Sequence, residues 1–178
     1  DTRVSKKIFQ KFEINKKIIS YHKFNESKNL DKIIRLLKEK KIVSLVSDAG
    51  TPTVSDPGRV LVKECAKNGI NIFPIPGASA VSSAISISGF SDNYYFCGFI
   101  PEKDSQIKKL FKDLSLIHGS IIFFISPNKL TKRINDLKEF FLNRDLLICR
   151  EISKYHEEYI RTSVANLSNI NYSRKGEI

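Results

Sequence analysis

The sequence contains no methionine and no tryptophan, only three cysteines, and 19 acidic residues against 30 basic ones. Each shortage excludes something. Cys65, Cys97 and Cys149 are odd in number, far apart and set in apolar runs, so neither a disulfide framework nor a zinc site is expected. No apolar run approaches the ~20 residues of a membrane span, and no charged-then-apolar leader opens the chain. The expectation is a cytoplasmic protein with reduced core thiols, needing neither membrane nor metal. The missing methionine, with the abrupt start at Asp1-Thr2-Arg3, reads as a trimmed or partial chain. Its 178 residues suffice to bury roughly 70% of the unfolded surface, in one ample domain or two small ones.

The basic excess is unevenly placed. Residues 1–41 hold 13 Lys/Arg against 5 Asp/Glu, residues 42–98 hold 3 against 4, and residues 99–178 hold 14 against 10. A neutral middle between basic flanks suits a polyanion gripped around a small-molecule site. The competing reading is codon bias, because 22 of the 30 cations are lysine rather than the arginine that binds phosphate in a bidentate manner.

Hydrophobic periodicity alternates between helix and strand. Leu30, Ile33, Ile34 and Leu37 mark an amphipathic helix. "KIVSLVS" (41–47) follows as a short apolar run of the kind found in covered parallel strands. A helix over 58–68, a strand "INIFPI" (70–75) and a small-residue helix over 79–88 come next. The pattern then restarts: strand 94–100, a helix carrying Ile107 and Phe111, strand 120–125, a helix carrying Leu130, Ile134, Leu137 and Phe141, and strand 145–151. The stretch from Glu157 to Leu167 fits a strand and a short helix. Turn formers at 88–93 suggest two α/β lobes, 1–91 and 92–178.

Two loops stand out. "SDAGTPTVSDPG" (47–58) sits at a strand's carboxyl end, where ligands bind in such sheets. Gly50 allows close approach, Pro52 and Pro57 stiffen the turn, and Asp48 can accept hydrogen bonds from ribose hydroxyls or an amine. The bland alternative is a turn cluster with Asp56 as helix cap. "PGAS" (76–79) again follows a strand and opens a helix, exposing backbone N–H groups. Together the two glycine turns suggest one flat slot.

"SDAGTP…SDPG" followed by "PGASA" resembles the cofactor loops of the tetrapyrrole methylase superfamily. Further segments resemble motifs of a branch that methylates a cytidine 2′-hydroxyl in the decoding region of 16S rRNA: "DTR" (1–3), "SYHKFNE" (20–26), "GFIPEK" (98–103), "ISKYHEEYIR" (152–161) and "RKGEI" (174–178). The chain departs from the pattern Y-E-S-P-H-R at Phe124-Ile125-Ser126-Pro127-Asn128-Lys129, and Thr162 stands where a glycine is usual.

The resemblance implies two α/β lobes with an S-adenosylmethionine cleft between them, a homodimer, and 16S rRNA in the small ribosomal subunit as partner. It places Asp48, Ala49, Gly50, Pro76, Gly77, Ser79, Ala80, Ser126 and Pro127 along the cofactor. Glu26, Lys154 and Glu157 become candidates for the chemistry, and Arg3, His22, Asn25 and Arg161 for RNA contact. Lys154 is either a desolvated base or a cation steadying an alkoxide, and its plain alternative is a surface ion pair with Glu157. Tyr21, Phe24 and Tyr155 lie beside polar motif residues and are either base-stacking or core aromatics. Two rival readings stand: a catalytically impaired RNA-binding remnant, and a methylase acting on a tetrapyrrole.

Overall fold

The computed structural model describes residues 2–178, so Asp1 of the "DTR" segment lies outside the described residues. The chain divides into two units, Asp1–Ser79 and Ala80–Ile178.

In the first unit, α1 (Thr2–Lys11), which periodicity had not flagged, carries no buried residue. Val4 and Ile8 on it, and Phe12 just after it, remain largely exposed, with Lys11 Nζ 5.9 Å from the centre of the Phe12 ring. The core forms where α2 (Glu26–Lys38) meets α3 (Arg59–Lys67): Ile33 and Ile34 pack with Leu61 and Cys65, ringed by Tyr21, Leu30, Leu37, Val43 and Ile70. The spacing expected of an amphipathic helix is thus realised in α2.

The strands expected at 41–47 and 70–75 are not formed. Both segments are extended, but among the described residues neither 42–47 nor 70–75 shares a ladder of backbone hydrogen bonds with a neighbour. A strand requires a partner about 4.8 Å away whose N–H and C=O groups match its own. Lacking one, the segments bury only part of their apolar side chains: Val43 and Ile70 reach the core, while Ile42 stays 96% exposed and Ile75 84%.

The second unit opens with α4 (Ala80–Ser88). The division falls after Ser79 and not after residue 91 as expected. The reason lies at the end of α4: the Arg161 guanidinium donates to the carbonyls of Ile87 and Ser88, and so ties the helix to the carboxyl-terminal unit. A cation on the last carbonyls also offsets the negative end of the helix.

Strands β1 (Tyr94–Phe99) and β2 (Ser120–Phe124) pair in parallel, joined by α5 (Asp104–Ser115). Strands β3 (Asp145–Arg150) and β4 (Glu158–Ser163) pair antiparallel. The final residues link the pairs, because Ile125 N donates to Ile178 O and Glu151 N to Glu177 O. The helix expected to run from Leu130 to Phe141 is two, α6 (Pro127–Lys132) and α7 (Ile134–Phe141). The break is at Arg133, whose φ of −103° and ψ of 6° leave the helical region. Its guanidinium is anchored by Asp104 and Asp136.

Ile107, Phe111, Leu114, Leu137 and Phe141 fill the core of this unit together with Ile148 and Leu167. Ile125 is also buried there, so the aliphatic side chain at this departure from the family pattern contributes to packing. Replacing the fully buried Phe111 by alanine should cost about 3–5 kcal/mol. Leu116→Ala, at a site 77% exposed, should cost less than about 0.5 kcal/mol. Urea unfolding followed by circular dichroism measures both, and equal losses would show that the core is placed wrongly.

Candidate functional site

The two glycine turns meet. In the first unit the Thr51 hydroxyl donates to the Ala78 carbonyl at 3.0 Å. A Cβ built on Gly50 would lie 3.5 Å from that same oxygen, and Gly50 sits at φ +67°. Glycine is therefore favoured at position 50 by its backbone conformation, while the 3.5 Å contact is an ordinary one. Ser47 closes the turn by donating through Oγ to Gly50 O at 2.9 Å.

The far end of the loop is also fixed. The N–H of Gly58 donates to Glu26 Oε1 at 2.9 Å, a charge-assisted bond of the stronger kind. Gly58 has φ +132°, and a Cβ there would come within 2.6 Å of Leu45 Cδ2. Gly58 caps α3 without any side-chain cap bond, so Asp56 does not serve as the helix cap. Between the two anchors Thr53 and Ser55 hold positive φ, 70° and 63°. Such values in non-glycine residues, above all a β-branched one, store strain of the kind found at ligand loops. Partial desolvation, followed by the charge of Asp48, raises the pKa of Asp56.

Asp48, Ala49, Gly50, Pro76 and Gly77 are all exposed, with Ser79 half-buried at the close of the first unit and Ala80 opening α4. Around Gly77 an added Cβ would meet only Ile75 O at 3.9 Å, so the second turn borders open space. Small, exposed residues on both turns suit a flat ligand.

The other residues singled out in the sequence sit as follows. Asn25 is committed to its own turn: Oδ1 accepts from His22 N at 2.8 Å and Nδ2 donates to Ser20 O at 3.1 Å. His22 and Arg3 are exposed, the latter on α1. The Tyr21 hydroxyl is buried without a hydrogen-bond partner, and burial, then the Glu26 charge, pushes its pKa up. In the second unit Ser126 caps α6, accepting from Lys129 N, with Pro127 buried in the first turn.

Lys154 Nζ lies 2.8 Å from Glu177 Oε2 and 3.0 Å from Glu151 Oε1. Those two carboxylates raise its pKa, Glu177 most, so Lys154 is held as the ammonium and not as a base. Its ion-pair partners are Glu177 and Glu151, while Glu157 accepts from Ser153 N instead. Sequence reasoning missed Thr51, Gly58, Glu151 and Glu177. Thr51 and Glu177 lie inside the quoted motifs "SDAGTP" and "RKGEI", so their positions were in view but not their partners. Among the described residues no group of three or more His, Cys, Asp or Glu is arranged to hold a metal, and no helix is long and apolar enough to cross a membrane.

Against known proteins, the profile described as Tetrapyrrole (Corrin/Porphyrin) Methylases matches residues 2–168. The chain belongs to this family. Within it, the chain is similar to proteins named Ribosomal RNA small subunit methyltransferase I. That of Mesomycoplasma conjunctivae is 41% identical, over 99% of this chain and 75% of its own length. That of Thermotoga maritima is 39% identical over 93% and 74%. That of Bacillus subtilis is 36% identical over 94% of this chain and 58% of its own length.

The Lys154 cluster makes a pH prediction. Lys154, first, and then the Glu177 backbone lower the pKa of Glu151. A carboxylate with a depressed folded pKa adds stability that is present above its unfolded pKa and is lost as pH falls through the folded value. Lys154→Gln should therefore lower the urea midpoint at pH 7, and the gap from wild type should close as pH falls below about 4.5. A gap that stays constant down to pH 2 would show that the pair does not operate.

Proposed function

We propose that the chain transfers a methyl group from S-adenosylmethionine to a cytidine 2′-hydroxyl of 16S rRNA in the small ribosomal subunit. The observation that carries this reading is the hydrogen-bonded meeting of the loops 47–58 and 76–79 at Thr51 and Ala78. It is supported by the names of the similar proteins and by the basic excess of residues 1–41. The family resemblance extends the reading to a homodimer working in the cytoplasm.

Held between the turns, the donor would supply an electrophilic methyl on a sulfonium for in-line displacement by the ribose oxygen, leaving the neutral thioether. Asp48 accepts hydrogen bonds from the donor's hydroxyls or amine, while Ala49, Gly50, Pro76 and Gly77 leave room for its flat part. Ser79 and Ala80 offer backbone N–H groups to its carboxylate, and Ser126 and Pro127 belong to the same binding role. The protein's main contribution is alignment, since a displacement of about 1 Å costs on the order of 100-fold in rate. The hydroxyl proton must also leave. Lys154, protonated between Glu177 and Glu151, serves as a cation that steadies the developing alkoxide. The carboxylates of Glu26 and Glu157 are the candidate acceptors, and Glu26 in addition sets the loop through Gly58. Arg3, His22, Asn25 and Arg161 are assigned to RNA contact, Asn25 and Arg161 acting through the turn and helix that they hold.

A second reading, RNA binding without catalysis, draws on Ile125, which is buried in the core and stands at the acid of the resembled pattern Y-E-S-P-H-R. Transfer of labelled methyl groups to undermodified 30S subunits separates the two. Label should appear at a cytidine ribose, and Gly77→Val, which projects into open space, should weaken S-adenosylmethionine binding at least about tenfold, equivalent to ~1.4 kcal/mol, without lowering the thermal midpoint. Donor binding without transfer would favour the second reading. Unchanged donor affinity in the variant would place the slot elsewhere.

A further inference from the structure

Phe24 is 94% exposed, yet the turn that carries it is tightly tied. Asn25 N and Glu26 N both donate to His22 O, at 2.8 and 3.1 Å. His22 N donates to Asn25 Oδ1 at 2.8 Å, and Asn25 Nδ2 and Asn29 Nδ2 both reach Ser20 O. Five hydrogen bonds thus fix a segment whose tip is an apolar ring with no polar atom to hydrate. The ring is therefore presented to solvent by a hydrogen-bonded turn and is not merely loose.

Its surroundings indicate the ligand. The His22 ring stands edge-on to the Phe24 ring, with centroids 6.3 Å apart and planes at 61°. Lys23 and Lys28 flank it in sequence and are exposed, within the 41 residues that hold 13 basic and 5 acidic side chains. The neighbouring carboxylate, Glu26, is engaged with Gly58 N. A rigid, exposed aromatic face on a strongly basic segment is the chemistry that stacks an unpaired base while lysines meet the phosphates. Tyr155 is as exposed, at 96%, but it lies in a loop whose lysine is already neutralised by Glu151 and Glu177. Phe24 is therefore the better platform.

We propose that Phe24, walled on one edge by His22, is a base-stacking platform for an unpaired base of single-stranded RNA. This rests on the reading that the substrate is RNA and names the residue that grips it.

The chain's lack of tryptophan supplies the test, because Phe24→Trp installs a lone tryptophan at the platform, which can be excited selectively over the tyrosines. Titrated with a short oligocytidylate, its emission should be quenched saturably. Phe24→Ala should weaken binding of the same oligonucleotide by about 5- to 150-fold, the span of one base–ring stack, with the S-adenosylmethionine affinity and thermal midpoint of the wild type. Unquenched tryptophan together with unchanged affinity of the alanine variant overturns the proposal. So does a Phe24→Ala variant whose sedimentation changes while its RNA affinity does not, which would assign the ring to a protein interface. Quenching in a protein that transfers no methyl group would support the platform and defeat the enzymatic reading, so the two fail separately.

Discussion

A side-chain hydrogen bond, from the Thr51 hydroxyl to the Ala78 carbonyl, ties together the two loops of the candidate site. In a paired sheet their spacing would come from the ladder. Here the segments leading into the loops, 42–47 and 70–75, are extended without ladder bonds among the described residues. Among what holds the turns are the Thr51 bond and, at the other end, the Glu26 carboxylate on Gly58 N. One neutral hydrogen bond contributes about 1 kcal/mol. The loop is therefore anchored at both ends but not stiff between them, where Thr53 and Ser55 carry the strain.

The carboxyl-terminal unit is held differently. Its strands pair with one another, and its core is a continuous apolar cluster around Phe111. There the polar motif residues act first as braces. Arg161 caps α4, Glu157 closes its own loop, and Lys154 joins Glu151 to Glu177. Gly176 belongs to the same arrangement, since a Cβ on it would come within 2.6 Å of the Glu151 side chain. A motif residue spent on holding a loop still serves a site, by placing the groups beside it.

What the sequence made legible follows from how local each signal is. Helices such as α2 and α5 were readable because their apolar stripe lies within one segment, and the strands of the second unit because partners for them lie in the same unit. The run 41–47 misled, since an apolar run says that a segment can be covered and not that anything covers it. The break at Arg133 left no periodic trace, and one of the two carboxylates that anchor its side chain, Asp104, is distant in sequence. At the site, glycines and hydroxyls announced the loops, but a hydrogen bond spanning 27 positions, as from Thr51 to Ala78, leaves no periodic trace. Lys154 shows the same limit. Its partners decide whether it is a base or a cation, and Glu177 is 23 positions away.

The claim on which the rest depends is that the two turns form one ligand slot. Backbone amide spectra recorded while S-adenosylmethionine is titrated into the isotopically labelled protein test it most directly. The amides of Gly50, Thr51, Ala78 and Ser79 should shift together along a single saturation curve. Shifts confined to one of the two turns, or lying wholly outside both, would contradict the account.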